Sequence, residues 1–164
     1  MARGEVLLFL HADSVFPEGG LRAIVDALSR DARIVGGNFR LIFDGGSRFA
    51  LGLTRFYALI RWVKLYYGDS GIFVRRAVYE RIGGIKPMPL MEDYEFVRRM
   101  ERAGRTCRIQ EPALITSSRK FAQRRATAIV TGWVVIHVLY WLGISPTRLA
   151  RLYYPAGWRR TQRG

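Results

Sequence analysis

Cysteine and histidine are scarce in this chain, which limits the kinds of site that it can build. Its 164 residues include one cysteine and two histidines. A single cysteine excludes an intramolecular disulfide and a metal cluster held by several thiolates. We expect Cys107 to be a small core residue of a short strand. We also expect no secretory signal, because an apolar strand follows the first five residues directly.

Acidic residues are few compared with basic ones. The chain has 13 Asp and Glu residues against 27 Lys and Arg, a formal net charge of +14. This excess favours an anionic partner: nucleic acid, an acidic membrane surface or a phosphorylated small molecule. Solvated arginines on helix faces would explain the same charge. An apolar content of 49% with 24% charged residues argues against disorder and allows one domain with a core.

The most informative segment is an apolar run that ends in a carboxylate. Residues 4–13 predict a buried parallel strand, and ligands of open α/β sheets bind beyond the carboxyl ends of such strands. Asp13 therefore lies where a site is expected, and it is a suitable ligand for Mg²⁺ or Mn²⁺. His11, on the same strand face, is either a second ligand or, as we favour, a hydrogen-bonding group. The alternative is that Asp13 or Ser14 only caps the next helix.

The remaining pattern alternates helices with strands and predicts an α/β fold with a sheet flanked by helices. A helix over residues 17–30 begins near Pro17, and its inward stripe is predicted to be Leu21, Ile24, Val25 and Leu28. The further elements are one or two strands over 33–43, a helix over 48–67, a strand over 72–74 that runs into a helix reaching Ile82, a helix opened by Glu92 and Asp93, and short strands over 106–109 and 113–116. In the helix after Asp93, the predicted inward residues are Val97, Met100 and Ala103, and the outward ones are Arg98, Arg99, Glu101 and Arg102.

Two further clusters have a chemical and a purely structural interpretation. Glu92 and Asp93 stand at a helix N-terminus, where the helix dipole stabilises acidic residues. They either serve that purpose alone, or one of them is a general base. Arg119 and Lys120 follow a predicted strand. These two adjacent cations either hold a diphosphate or begin an ordinary basic helix.

The order of these motifs carries more information than each motif alone. The apolar strand and His-Ala-Asp are followed by Tyr-Gly-Asp-Ser-Gly-Ile-Phe-Val-Arg-Arg at residues 67–76, Leu-Met-Glu-Asp at 90–93 and Ser-Ser-Arg-Lys at 117–120. From about Gly4 to Tyr154, the chain resembles the catalytic half of a family 2 glycosyltransferase with the GT-A fold. It is most similar to a small bacterial group with His-Ala-Asp in place of Asp-X-Asp. The resemblance implies a partial, Rossmann-like GT-A fold with a mixed sheet.

The resemblance also implies roles for the acidic residues. Asp13 would bind a divalent metal, Mg or Mn, that bridges the nucleotide diphosphate, and His11 occupies the position of the family's first aspartate. Asp93, the second acid of the Glu92-Asp93 motif, matches the base that deprotonates the acceptor hydroxyl in inverting enzymes.

Two more pairs of residues receive roles in the same way. Asp69 and Ser70, in the Gly-Asp-Ser-Gly loop, would lie near the acceptor and the donor sugar. Arg119 and Lys120 fall near the late basic motif that steadies the leaving diphosphate, although Phe121 stands where the family usually has Trp. The family's nucleotide-binding βαβ half has no counterpart here. We therefore expect weak donor binding by this chain alone, and an exposed strand edge that pairs with another copy as a homodimer.

A second apolar run covers Ala126 to Leu142 and raises the question of a membrane. The helix either spans a bilayer, lies in its interface, or is buried or forms an oligomer. Trp133, Tyr140 and Trp141 resemble interfacial aromatics, as does the aromatic and basic 48–67 segment. We expect the interfacial case, with a catalytic and acceptor half over 1–125 and an apolar helix with a basic tail over 126–164. The predicted location is cytoplasmic, at the anionic inner face of the cell membrane.

Together these patterns predict an enzyme that moves a sugar from a nucleotide-sugar to a hydroxyl acceptor, with a lipid-linked acceptor as one option. The alternative is a membrane-associated or dimer-forming part of such an enzyme that has no catalysis of its own. Nucleic acid is not an expected partner, because the sequence contains no recognition module for it.

Overall fold

The computed structural model describes residues 3–45, 48–118 and 126–154. Contacts divide the chain into two units, residues 1–86 with 93–118 and residues 87–92 with 119–164. The domain boundary predicted after residue 125 stays a prediction, because residues 119–125 lie outside the described part. The elements in chain order are β1 (Val6–Phe9), β2 (Ser14–Val15), α1 (Gly20–Arg30), β3 (Ile34–Phe43), α2 (Arg48–Ile60), β4 (Ile72–Arg75), α3 (Arg76–Arg81), α4 (Glu92–Ala103), β5 (Arg105–Thr116), α5 (Ala126–Trp141) and α6 (Pro146–Tyr153).

The first unit contains a five-stranded mixed sheet in the order β1-β4-β3-β5-β2. Strands β3 and β5 are parallel, and the other pairs are antiparallel. The predicted α/β class is confirmed, and the arrangement is consistent with a partial GT-A fold. The expectation of a buried parallel strand for residues 4–13 is wrong, because β1 is a half-buried edge strand of the described sheet and pairs antiparallel with β4. An apolar run does not reveal the direction of the neighbouring strand.

The short connection between β1 and β2 crosses the sheet. These two strands lie at opposite ends of the strand order, although only residues 10–13 separate them. Phe9 pairs with Ile72, the first residue of β4, and Ser14 pairs with Thr116 at the end of β5. Residues 10–13 therefore run across the end of the sheet at which β4 begins. This path, and not a strand end alone, positions His11 and Asp13.

A core cluster packs between the sheet and α4. Its buried residues are Val35, Tyr66, Ile72, Val74, Val78, Phe96, Val97 and Met100. The predicted start of α4 at Glu92 is confirmed, as is the inward position of Val97 and Met100. The outward position predicted for Glu101 is wrong, since its side chain is only 5% exposed. It accepts hydrogen bonds from the hydroxyls of Tyr66 and Thr106 and forms an ion pair with Lys64.

Helix α1 starts later than its sequence pattern predicted. Its N-cap is Gly19 in the left-handed conformation (φ 72), and no side chain forms a cap hydrogen bond there. The interpretation that Asp13 or Ser14 caps this helix is therefore wrong. Pro17 lies in the preceding turn, where its carbonyl accepts a hydrogen bond from the Gly20 N–H.

The buried stripe of α1 is narrower than predicted. Ile24 and Leu28 are buried, whereas Leu21 and Val25 are exposed, so half of the predicted stripe is wrong. The buried residues Gly20, Ile24 and Leu28 are spaced by four and lie one above the other along the helix. The fully buried row of α1 therefore consists of these three residues, and the apolar side chains of Leu21 and Val25 fall outside it.

Two predictions of element boundaries differ from the structure, and the choice between one and two strands over 33–43 is decided. Helix α2 ends at Ile60, and a 3-10 turn over Arg61–Val63 is followed by Lys64 with φ 59, so the helix does not reach residue 67. Residues 33–43 contain one strand, β3. The two short strands predicted over 106–109 and 113–116 are parts of the single strand β5, whose pairing with β3 is irregular between Phe39 and Leu41.

The second unit contains the predicted C-terminal apolar helix, α5, and the shorter helix α6, which contact each other. Ile129, Ile136 and Leu149 are buried. The Trp133 Nε1–H donates to the Tyr153 hydroxyl at 3.3 Å. Across residues 3–45, 48–118 and 126–154, no helix has the length and apolar character needed to cross a membrane.

Candidate functional site

Three segments that are far apart in sequence meet at Gly68. The backbone N–H of Gly68 donates to Asp93 Oδ2 at 2.9 Å. A Cβ atom at residue 68 would lie 3.0 Å from His11 Nε2 and 3.6 Å from Asp93 Oδ2. The imidazole of the β1–β2 connection and the carboxylate of α4 are therefore neighbours across the turn that precedes β4. Glycine at residue 68 leaves space for both.

The Asp93 carboxylate is held by two backbone donors. Its Oδ2 accepts the Gly68 N–H, and its Oδ1 accepts the Tyr94 N–H at 2.7 Å. Two such bonds fix the plane of the carboxylate, and each oxygen keeps a further lone pair. Met91, two residues earlier, is buried with φ 68, a rare backbone conformation outside glycine. This bend immediately precedes the helix that carries Asp93.

His11 and Asp13 form the candidate metal pair. His11 Nδ1 lies 3.9 Å from Asp13 Oδ1, and the two side chains are 55% and 36% exposed. An imidazole nitrogen and a carboxylate oxygen suit a cation such as Mn²⁺. Among the described residues, no group of three or more His, Cys, Asp or Glu side chains is placed to hold a metal ion.

The end of β5 lies against this pair. The Ser117 N–H donates to the Asp13 carbonyl at 3.2 Å, and the Ser14 hydroxyl donates to Thr116 Oγ1 at 3.2 Å. These bonds join Asp13 and Ser14 to Ser117 and to Thr116, the last residue of β5. Arg119 and Lys120 follow shortly in the chain but lie outside the described residues. Their diphosphate-binding role stays a prediction.

Asp69 and Ser70 are buried within the turn that begins at Gly68. Asp69 Oδ2 accepts a hydrogen bond from the Tyr57 hydroxyl at 3.0 Å, and the Ser70 hydroxyl donates to the Tyr67 carbonyl at 2.6 Å. Both side chains therefore support the conformation of the turn. Their predicted place beside the sugars stays a prediction. The catalytic role predicted for Glu92, the first residue of α4, also stays a prediction. Glu92 is assigned to the second unit.

Two tyrosines that the sequence reasoning missed border the acidic residues. The Tyr57 and Tyr67 rings are in edge contact, with centroids 6.3 Å apart. Burial raises the pKa of the Tyr57 phenol well above its usual value, and the Asp69 carboxylate raises it further. Burial also raises the pKa of Tyr67, with a contribution from Asp93. The Tyr-Gly-Asp-Ser motif marks Tyr67 in the sequence. Tyr57 has no such signal, because the aromatic 48–67 segment also fits a membrane interface.

Comparison with known proteins identifies the family. A family model described as Glycosyl transferase family 2 matches residues 1–85. The match includes His11, Asp13, Asp69 and Ser70 and ends before Asp93. No curated protein and no solved structure shows a significant match to the chain. Because the family model covers more than half of the chain, the chain belongs to glycosyl transferase family 2.

Proposed function

We propose that this chain transfers a sugar from a nucleotide-sugar donor to a hydroxyl acceptor, with inversion at the anomeric carbon. Membership of the family supports glycosyl transfer in general. The finer proposal rests on one observation, the meeting of His11 and Asp93 at Gly68. This arrangement supports a single site that contains a candidate base, Asp93, and a candidate metal ligand, His11, from separate elements. A lipid-linked alcohol is a suitable acceptor class.

Asp93 is the proposed general base. The acceptor oxygen forms a bond to the anomeric carbon while the bond from that carbon to the diphosphate oxygen breaks, and Asp93 takes the hydroxyl proton. The two backbone bonds to its carboxylate support this role, because they hold the group in one orientation and leave a lone pair on each oxygen. A carboxylate fixed in this way does not need to reorganise when the acceptor arrives.

His11 and Asp13 are proposed to hold a divalent cation together with the donor diphosphate. When bound, the cation offsets the negative charge that develops on the departing diphosphate. Arg119 and Lys120 are proposed to add positive charge to the same leaving group. Asp69 and Ser70 are proposed to shape the sugar-binding side of the turn. The exposure of the His11 and Asp13 side chains supports a site that a ligand can reach.

The base assignment is tested by a neighbouring pair of substitutions. Turnover is measured as release of nucleoside diphosphate from a panel of UDP- and GDP-sugars with Mn²⁺ and hydroxyl acceptors. We expect Asp93→Asn to lower turnover by about 10²- to 10⁴-fold, while Glu92→Gln changes it far less. Unchanged turnover in Asp93→Asn refutes the assignment, and loss only in Glu92→Gln transfers it to Glu92. Asn offers one acceptor oxygen to two N–H donors, so folding of the variant is checked by circular dichroism.

The cation site is tested by binding, which does not depend on turnover. Calorimetric titration with UDP and with GDP is carried out with and without Mn²⁺. We expect Asp13→Asn to weaken the Mn²⁺-dependent binding by about 10- to 100-fold. Asp26→Asn is the matched control, because Asp26 forms an exposed ion pair with Arg22 on α1. Equal affinities in both variants, or affinities independent of Mn²⁺, would contradict a cation at Asp13.

A further inference from the structure

Helix α5 presents an apolar stripe to solvent in the second unit. The helix carries no charged residue, and one side of it is buried through Ile129 and Ile136. The opposite side is exposed. We call this side the α5 stripe; it consists of Val134, Val135, Val138, Trp141 and Leu142. The spacings of three and four residues place the five side chains on one helical face.

The α5 stripe is most exposed at its C-terminal end. Trp141 is 60% exposed and Leu142 is 73% exposed, so the end of the stripe with the largest side chains is also its most exposed end. A helix that is apolar all round is normally covered all round. Contiguous exposed apolar side chains mark a surface that binds something. A tryptophan at the end of such a stripe combines a large apolar ring with an N–H group, which suits a boundary between water and lipid.

The charge of the surrounding sequence indicates the chemistry of the partner. After Glu111, the chain contains no acidic residue. The same segment contains nine basic residues, which are Arg119, Lys120, Arg124, Arg125, Arg148, Arg151, Arg159, Arg160 and Arg163. Arg148 and Arg151 lie in α6, which packs against α5, and both are exposed. An anionic partner with an apolar interior satisfies both features, whereas a second copy would bring two equally basic segments together.

We propose that the α5 stripe docks on the surface of an anionic lipid bilayer, with Arg148 and Arg151 contacting lipid headgroups. The stripe enters the boundary between headgroups and acyl chains, with Trp141 and Leu142 the deepest members. In this type of binding, the burial of apolar side chains and the electrostatic attraction to anionic lipids both contribute to the affinity. The proposal goes beyond the proposed function and does not depend on it, because the α5 stripe, Arg148 and Arg151 take no part in the transfer site.

Sedimentation with vesicles tests the proposal. The purified chain is mixed with vesicles of phosphatidylcholine alone or of phosphatidylcholine with phosphatidylglycerol, at low and high salt. We expect binding to the mixed vesicles at low salt and little binding to phosphatidylcholine. Val138→Asp should weaken binding by about tenfold. The matched control is Val25→Asp on α1, whose side chain is exposed to a similar degree, and it should bind like the unchanged chain.

Three further measurements distinguish lipid docking from self-association and from binding by charge alone. Replacing Arg148 and Arg151 by Gln should weaken binding to the mixed vesicles by about fivefold for each arginine. Brominated lipids should quench tryptophan fluorescence, and Trp141→Phe should remove most of the quenching. Absence of binding to anionic vesicles overturns the proposal, as do equal effects of Val138→Asp and Val25→Asp. A dimer in light scattering that Val138→Asp turns into a monomer, without vesicle binding, also overturns it and assigns the stripe to a second copy.

Discussion

Replacing Tyr57 by Phe removes one hydroxyl from the buried side of the candidate site. That hydroxyl donates to Asp69 Oδ2 at 3.0 Å, and Asp69 is only 6% exposed. A hydrogen bond to a charged group contributes about 1.5–3 kcal/mol. Phe keeps the ring and its edge contacts with Phe43 and Tyr67. We therefore expect Tyr57→Phe to lower the free energy of unfolding by about 2 kcal/mol.

Denaturation in urea measures this loss, and the slope with urea concentration should not change. Tyr79→Phe is the matched control, because the Tyr79 hydroxyl accepts a weak bond of 3.4 Å from the Ile85 N–H. We expect the control to change stability by about 0.5 kcal/mol or less. Equal losses in the two variants would refute the argument, since the effect would then follow from removing any buried hydroxyl and not from the Asp69 bond.

Further predictions concern glycine and alkaline pH. Gly37→Ala should destabilise the fold by about 3 kcal/mol, because a Cβ there would lie 2.1 Å from the Cys107 carbonyl oxygen, a backbone atom that cannot move away easily. Gly52→Ala, in α2 with nothing within 4 Å of its Cβ position, should stabilise the chain by about 0.5–1 kcal/mol in the same denaturation assay. Burial raises the pKa of Tyr57, Tyr66 and Tyr67 above the value of the unfolded chain. These phenols stay protonated in the folded state, so above pH about 10 unfolding releases their protons and stability should fall by up to about 4 kcal/mol per pH unit. Denaturation at several pH values and a phenolate absorbance titration check this; a constant stability between pH about 9 and about 11 would contradict it.

Local patterns predicted several elements, because glycine breaks and helix-start residues mark where an element begins or ends. The strand β4 and the helix α3 after it were predicted, because Gly83 and Gly84 end the apolar pattern there. The start of α4 was predicted from its two acidic residues. The edge position of β1 was not, since pairing direction depends on a strand more than sixty residues away. The burial of Glu101 was missed for the same reason, because its hydroxyl partner Tyr66 is distant in sequence.

The candidate site could be predicted only in part. Asp13 and Asp93 stand out in the sequence as acids that follow a strand and open a helix. The sequence does not predict that His11 lies next to Asp93. Their proximity depends on the path of residues 10–13 across the sheet and on glycine at residue 68, which has no side chain to fill the space between them. The role of Tyr57 was hidden, since an aromatic helix near basic residues also fits a membrane surface. Only the structure shows that its hydroxyl points to Asp69.

The pairing of β1 with β4 determines where the imidazole of His11 lies. The two strands share four residue pairs, from Val6 opposite Arg75 to Phe9 opposite Ile72. A slip of this edge strand by two residues would keep the same side chains on each face, yet it would move His11 by roughly 7 Å along the strand and away from Asp93. Loss of transfer in a variant of β1 would then report a shifted strand, even where every residue of the site is intact.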